Sequence, residues 1–363
     1  MNREISGLNW LRGIAAILVL LSHARSFFFV DLKNYSGTPT ILTKFFYLIS
    51  GLGHPSVIIF FVLSGFLVTG SIERQWQENN FDVKNYLVTR IIRLWVVLIP
   101  CLLITFVLDH IGYYLFNPDF YLGNINKLIN SAPPNPVNWS FLVFLGNILF
   151  LQTIYVPTYG SNGPFWSLAY EFWYYILFPI SFYITKTKKY ILFFLLICIS
   201  IFIGYNVLIL FPIWLFGFLS HRLKNKKLFF ELKNNILISI TLCILSLIIL
   251  ICYKIFNINN LLGDYIIGGM TMMLILTLHN QFFEYGKNFS NFISKISYSL
   301  YLVHFPILTL ISSINNNHRS STIEHGLPIF ILSIALSISS AWLVWYFFER
   351  HTTSIKKYIM KKI

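Results

Sequence analysis

The chain has 363 residues, of which 56% are hydrophobic and only 11% charged, with a net charge of +14. Soluble domains carry about 25% charged residues, so this chain cannot cover a water-facing surface, and most of that surface must face lipid. The composition excludes a soluble enzyme. The basic excess is no sign of nucleic acid either, because lysines and arginines fall in loops between apolar runs, as the positive-inside rule expects.

A helix crosses a bilayer with about 20 apolar residues. Runs of that kind fall at Trp10–Val30, Pro55–Ile72, Ile91–His110, Trp166–Ile184, Tyr190–Asn206, Leu208–His221, Asn234–Tyr253, Leu261–Asn280, Ser297–Ile314 and Leu327–Phe348. They predict an all-α, polytopic membrane helix bundle of about ten transmembrane helices in one domain over residues 1–363. The first run follows Arg3 and Glu4, carries Arg12 and His23, and has no small-residue cleavage pattern after it, so it reads as a retained span rather than a secretory signal. The N-terminus, Arg74–Arg93, Lys186–Lys189, Arg222–Lys233, Lys287–Lys295 and the tail at 349–363 are basic. Placing all of them in the cytoplasm requires an even number of crossings. The short stretch Phe141–Gln152 is therefore expected to be re-entrant or interfacial. The proline-rich stretch Ser131–Trp139 should not form regular helix. The four cysteines lack CxxC spacing and read as packing residues, with no metal site expected. No internal repeat points to an inverted-repeat transporter.

Few residues in these runs carry chemistry. Arg12 and His23, eleven residues apart, share one helical stripe with about 16 Å of rise between them. A neutral imidazole deep in a membrane is suited to accept a proton, although an interhelical hydrogen bond would also explain it. Arg12 could equally snorkel to the interface. Arg90 and Arg93 are i and i+3 on one helix face, where two guanidinium groups suit phosphate capture or simply mark the cytoplasmic side. Glu171 lies one turn into its span after Trp166, and could orient a histidine, hold an acceptor hydroxyl or pair with an arginine. Tyr301 and His304 are neighbours by the same spacing, beside Pro306.

These pieces occur in a telling order: LNWLRGIAAILVLLSHA, IFFVLSGFLVTGSI, TRIIRLWVVLIP, NGPFWSLAYEFWYYILFP, ISYSLYLVHFP and FFERH, together spanning about Leu8 to Arg350. In this the chain resembles the acyltransferase-3 family of membrane acyltransferases, which modify cell-surface carbohydrates. It departs from the family's common pattern in having Asn9 and Trp10 for Asp-Gly, SLAYE for SLSVE, and His351 after Glu-Arg. Some relatives carry a soluble SGNH-type domain after the membrane part; none is expected here, so that any completing partner would be separate.

The resemblance implies an essential Arg–His pair, which maps onto Arg12 and His23, and a cytoplasmic arginine pair, which maps onto Arg90 and Arg93. The expectation is acyl transfer from cytoplasmic acyl-CoA, most simply acetyl-CoA and otherwise succinyl-CoA, to a sugar or polysaccharide hydroxyl such as that of an O-antigen. His23, Arg12 and Glu171 would be catalytic, Arg90 and Arg93 would bind the coenzyme, and Tyr301, His304 and Trp166 would contact substrate. The protein would sit in the inner (plasma) membrane with both termini cytoplasmic, acting alone or beside polysaccharide-assembly proteins. The rival readings are a transporter of a polar or anionic solute and a structural subunit of an assembly complex.

Overall fold

The computed structural model describes residues 4–78, 81–133, 135–256, 258, 260–277 and 286–362. Arg3, Pro134 and the end of the run expected at Leu261–Asn280 lie outside them. Among the described residues, regular structure is helical: α1 (Glu4–Phe28), α2 (Ile41–Ile49), α3 (Gly53–Gln77), α4 (Val83–Leu115), α5 (Phe141–Ile148), α6 (Trp166–Thr187), α7 (Ile191–Leu223), α8 (Lys227–Asn234), α9 (Ile236–Ile255), α10 (Leu261–Thr277), α11 (Lys287–Ile314), α12 (Ile323–Phe347) and α13 (Thr352–Lys362).

Seven helical stretches among the described residues are long and apolar enough to cross a membrane. Every expected span overlies a helix, and the difference in number has physical causes. Tyr190–Asn206 and Leu208–His221 are two limbs of α7, joined at Gly204, whose φ of 76° breaks the helix. The described part of α10 comprises 17 helical residues, short of the length counted as a span. The α6 helix, which is rich in Trp and Tyr and carries Glu171 and Lys186, is not among those seven. The 8 residues of α5 rise about 12 Å, too little to cross about 30 Å of hydrocarbon, as the charge pattern required.

The chain divides into two compact units. The first comprises Met1–Arg12, Val57–Ile91 and Tyr170–Asn291. In it α10 packs against α7 and α9. The α3 and α7 backbones nearly touch: a Cβ on Gly65 would lie 2.1 Å from the Trp214 carbonyl oxygen, and one on Gly217 would lie 2.1 Å from that of Val62. Small residues permit the close approach that helices use to associate in lipid. Trp214 is fully buried there, 5.0 Å from the Phe178 ring.

The second unit comprises Gly13–Ser56, Ile92–Ala169 and Phe292–Ile363. Its core is aromatic, with Phe27 at 5.2 Å from Phe305 and 5.6 Å from Phe120. Phe120 belongs to the α4–α5 connection, so that connection is anchored in the core rather than draped over it. Asn126 Nδ2 then staples its proline-rich part, donating to the carbonyls of Pro133 at 2.7 Å and Asn135 at 3.2 Å. As expected, no helix forms among the described residues of 131–139.

The α3–α7 contact gives a clean test. Gly217→Val should abolish the monodisperse, folded peak in detergent size-exclusion chromatography. Gly269→Val, at a site where an added Cβ meets nothing within 4 Å, should leave that peak intact.

Candidate active site

His23 lies near the end of α1 and is only 6% exposed. Its Nδ1 is 2.8 Å from Nε2 of His304 on α11. The ring planes differ by 4° with centroids 5.1 Å apart, a head-on, nearly coplanar arrangement. His304 Nδ1 is in turn 2.8 Å from the Leu300 carbonyl oxygen. A carbonyl can only accept, so His304 carries its proton on Nδ1 and presents a lone pair at Nε2. His23 must therefore donate from Nδ1, which leaves the lone pair of a neutral His23 on Nε2. That nitrogen faces Ser131 Oγ at 3.3 Å.

Pro306 helps to hold α11 in place. A proline has no N–H, so the carbonyl four residues earlier in a helix loses its partner. That carbonyl belongs to Leu302, and Asn162 Nδ2 donates to it at 2.7 Å. The Tyr301 hydroxyl lies 2.7 Å from Ser167 Oγ and donates to the Pro164 carbonyl at 3.0 Å. The Asn162–Ser167 segment and α11 are thus interlocked, and both hydrogen-bonding directions of Tyr301 are used within the protein. Tyr301 supports the site rather than presenting a free hydroxyl to a substrate. His304, also expected at the substrate, touches His23 instead.

Asp109, on α4, was not singled out by its sequence position. It is fully buried. Its Oδ2 accepts from the Ser161 backbone N–H at 2.7 Å and from Trp139 Nε1 at 3.0 Å. It therefore fixes the turn that delivers Asn162 and Gly163. The only sequence signal was an acidic residue inside an otherwise apolar run. At the far end of α1, Arg25 and Arg319 flank Asp31 at 3.7 and 3.9 Å. Burial lowers the Arg319 pKa, and Asp31 opposes that shift.

The first unit holds a second polar cluster. Glu171 Oε1 accepts from Ser64 Oγ at 2.7 Å and from the Tyr175 hydroxyl. The Arg90 guanidinium lies over the rings of Tyr175 and Tyr86, at 5.4 and 5.3 Å. Ser64, in the FFVLSGF stretch, is a partner that sequence reasoning missed. Arg12 and Trp166 are half-buried and Arg93 is exposed. A cavity of about 220 Å³ in the same unit is lined by Glu73, Trp76, Gln77, Phe182, Lys186 and Arg222. Glu73 pairs there with Arg222 and, at 3.1 Å, with His221.

Asp109→Leu removes two hydrogen bonds to a buried carboxylate, and each such bond contributes about 1.5–3 kcal/mol. The variant should lose at least several degrees of melting temperature, read by thiol-reactive dye or intrinsic fluorescence.

Residues 5–346 match the family defined by an acyltransferase domain. Among relatives, an uncharacterised Haemophilus influenzae protein is 32% identical over 60% of this chain and 92% of its own length. An O-acetyl transferase of Shigella phage Sf6 is 23% identical over 93% of both chains. A Staphylococcus aureus protein provisionally named an O-acetyltransferase is 25% identical over 96% of this chain, which spans 57% of that relative's length. No solved structure matches. With the family match running through α1, α4, α6 and α11, which carry the histidine pair and the interlocked segments, the chain belongs to this acyltransferase family and is a membrane O-acyltransferase.

Proposed function

We propose that the protein transfers an acyl group, acetyl in the simplest case, from cytoplasmic acyl-CoA to a hydroxyl of a cell-surface or lipid-linked carbohydrate such as an O-antigen. One observation carries this reading. The hydrogen bonds through Leu300, His304 and His23 leave a lone pair on His23 Nε2, aimed at a hydroxyl. A base so oriented takes the proton of a hydroxyl as it attacks the thioester carbonyl. The imidazolium that forms is stabilised through Nδ1–H by the His304 lone pair, as a carboxylate does in hydrolytic triads but more weakly. His304 is therefore a positioning residue, and substrate contact is not its role.

The coenzyme's phosphates need fixed cations. Arg90, held over two tyrosine rings, and the Lys186 and Arg222 side chains at the cavity are suited to them, and Arg12 of the same unit supplies further charge. Those groups fall in or beside the basic stretches assigned to the cytoplasm, as does the tail with α13. Both termini are therefore taken as cytoplasmic and the bilayer as the inner membrane. A sugar acceptor is supported by the cluster of His110, Tyr113 and Trp139, with rings 4.7 and 5.5 Å apart. Electron-rich aromatic faces attract the polarised C–H bonds of a pyranose.

His23→Ala should abolish carbohydrate acetylation, measured by mass spectrometry of surface polysaccharide, while the variant still inserts and purifies normally. Normal acetylation would refute the assignment. Acetyl-CoA should raise the melting temperature of the wild type, and Arg90→Ala should weaken that response about tenfold or more in half-saturating concentration. An unchanged melting temperature at millimolar acetyl-CoA would remove the proposed donor.

A further inference from the structure

The hydroxyl facing His23 Nε2 belongs to the protein. Ser131 is exposed, yet its Oγ lies 3.3 Å from the buried imidazole. The proton order worked out above gives this contact a direction. With Nε2 unprotonated, the hydroxyl must be the donor, which is the polarity that activates an oxygen nucleophile. A histidine serving only as a structural link would need no hydroxyl there.

The backbone at Ser131 is also unusual. Its φ of 63° lies in the left-handed region, which costs a non-glycine residue free energy and must be held by its surroundings. The surroundings do hold it. The Ala132 N–H donates to the Ile129 carbonyl at 3.2 Å, and Asn126 staples the residues that follow. The Ser131 carbonyl presses against Gly163 so closely that a Cβ there would lie 1.7 Å from the oxygen. Asp109, through the Ser161 N–H, fixes the turn bearing that glycine. A serine on a strained, braced turn, beside a histidine oriented by a third group, is the arrangement of an activated nucleophile. The 3.3 Å separation is long for such a bond, and catalytic hydrogen bonds are often loose before substrate binds.

We propose that Ser131 is the first acceptor of the acyl group, so that transfer proceeds through an acyl-serine ester. This rests on the acyl-CoA reading above. In the first half, Ser131 Oγ attacks the thioester carbonyl as His23 Nε2 takes its proton. The C–O bond forms, the C–S bond breaks, and the coenzyme thiolate leaves with the proton from His23. In the second half, His23 takes the proton of the acceptor hydroxyl, which attacks the serine ester. The C–O bond to Ser131 breaks, and the serine oxygen recovers the proton. No oxidant, reductant or metal enters the balance. Because Ser131 is exposed and His23 is not, the ester would stand where an acceptor can approach it.

The test uses purified full-length protein in nanodiscs, mixed with acetyl-CoA and acid-quenched before digestion and mass spectrometry. Wild type should carry one acetyl group on the peptide containing Ser131, released by alkaline hydroxylamine. The label should be missing in His23→Ala. Ser131→Cys should trap a thioester released by neutral hydroxylamine. Ser131→Ala, checked for folding by its size-exclusion profile and melting temperature, should lose acceptor acetylation by at least about 100-fold yet keep the melting response to acetyl-CoA. Acetylation by Ser131→Ala within a few-fold of wild type would overturn the proposal, as would a label on His23 or no label during turnover. The acyltransferase reading would survive each of those results. If wild type transferred nothing from acetyl-CoA, the donor assignment and this proposal would fall together.

Discussion

The hydrogen bond between His23 and His304 is the constraint on which the rest of the site depends. Two neutral imidazoles can share one proton in either direction, and an isolated pair would be ambiguous. The Leu300 carbonyl removes the ambiguity because it can only accept. A main-chain oxygen of α11 therefore decides which nitrogen of a side chain on α1 is basic. Nothing charged is needed, which suits a site within a membrane, where an unpaired carboxylate would be costly. Much of the second unit serves to hold α11 in register, through the Pro306-freed carbonyl, the tyrosine tie and the aromatic core around Phe27 and Phe305.

The fold was largely legible in the sequence because its cause is composition. Long apolar runs have no alternative in lipid, and the basic loops and the shortness of Phe141–Gln152 followed from charge and length. Where the expected spans outnumber the long apolar helices, one reason is local. Gly204 interrupts α7 without ending it, and hydropathy alone cannot distinguish a broken helix from two.

The site was legible only in part. His23 stood out as an ionisable group at membrane depth, and it is buried as that argument required. Its partner was named but given another role, because spacing along one helix cannot tell which neighbour comes from another. Tyr301 was likewise expected to contact substrate, and its hydroxyl bonds to Ser167 and Pro164. Asp109, Ser64 and Ser131 were passed over. Each owes its place to contacts between distant segments, and a single serine or aspartate carries no periodicity that would mark it in advance.

The broken helix α7 has a consequence of its own. An unbroken helix of its 33 residues would be about 50 Å long, well beyond the roughly 30 Å of a bilayer's oily interior. Its N-terminal limb, Ile191–Ile203, is mostly exposed, whereas Val207, Ile213 and Trp214 of the other limb are buried. At Gly204 the chain instead folds back: Phe202 and Val207 both lie beside Trp173 and Tyr174 of α6, and Arg222 returns to the cavity lined by Lys186. The lipid-exposed limb and the packed limb therefore run past α6 in opposite directions, rather than as one long crossing.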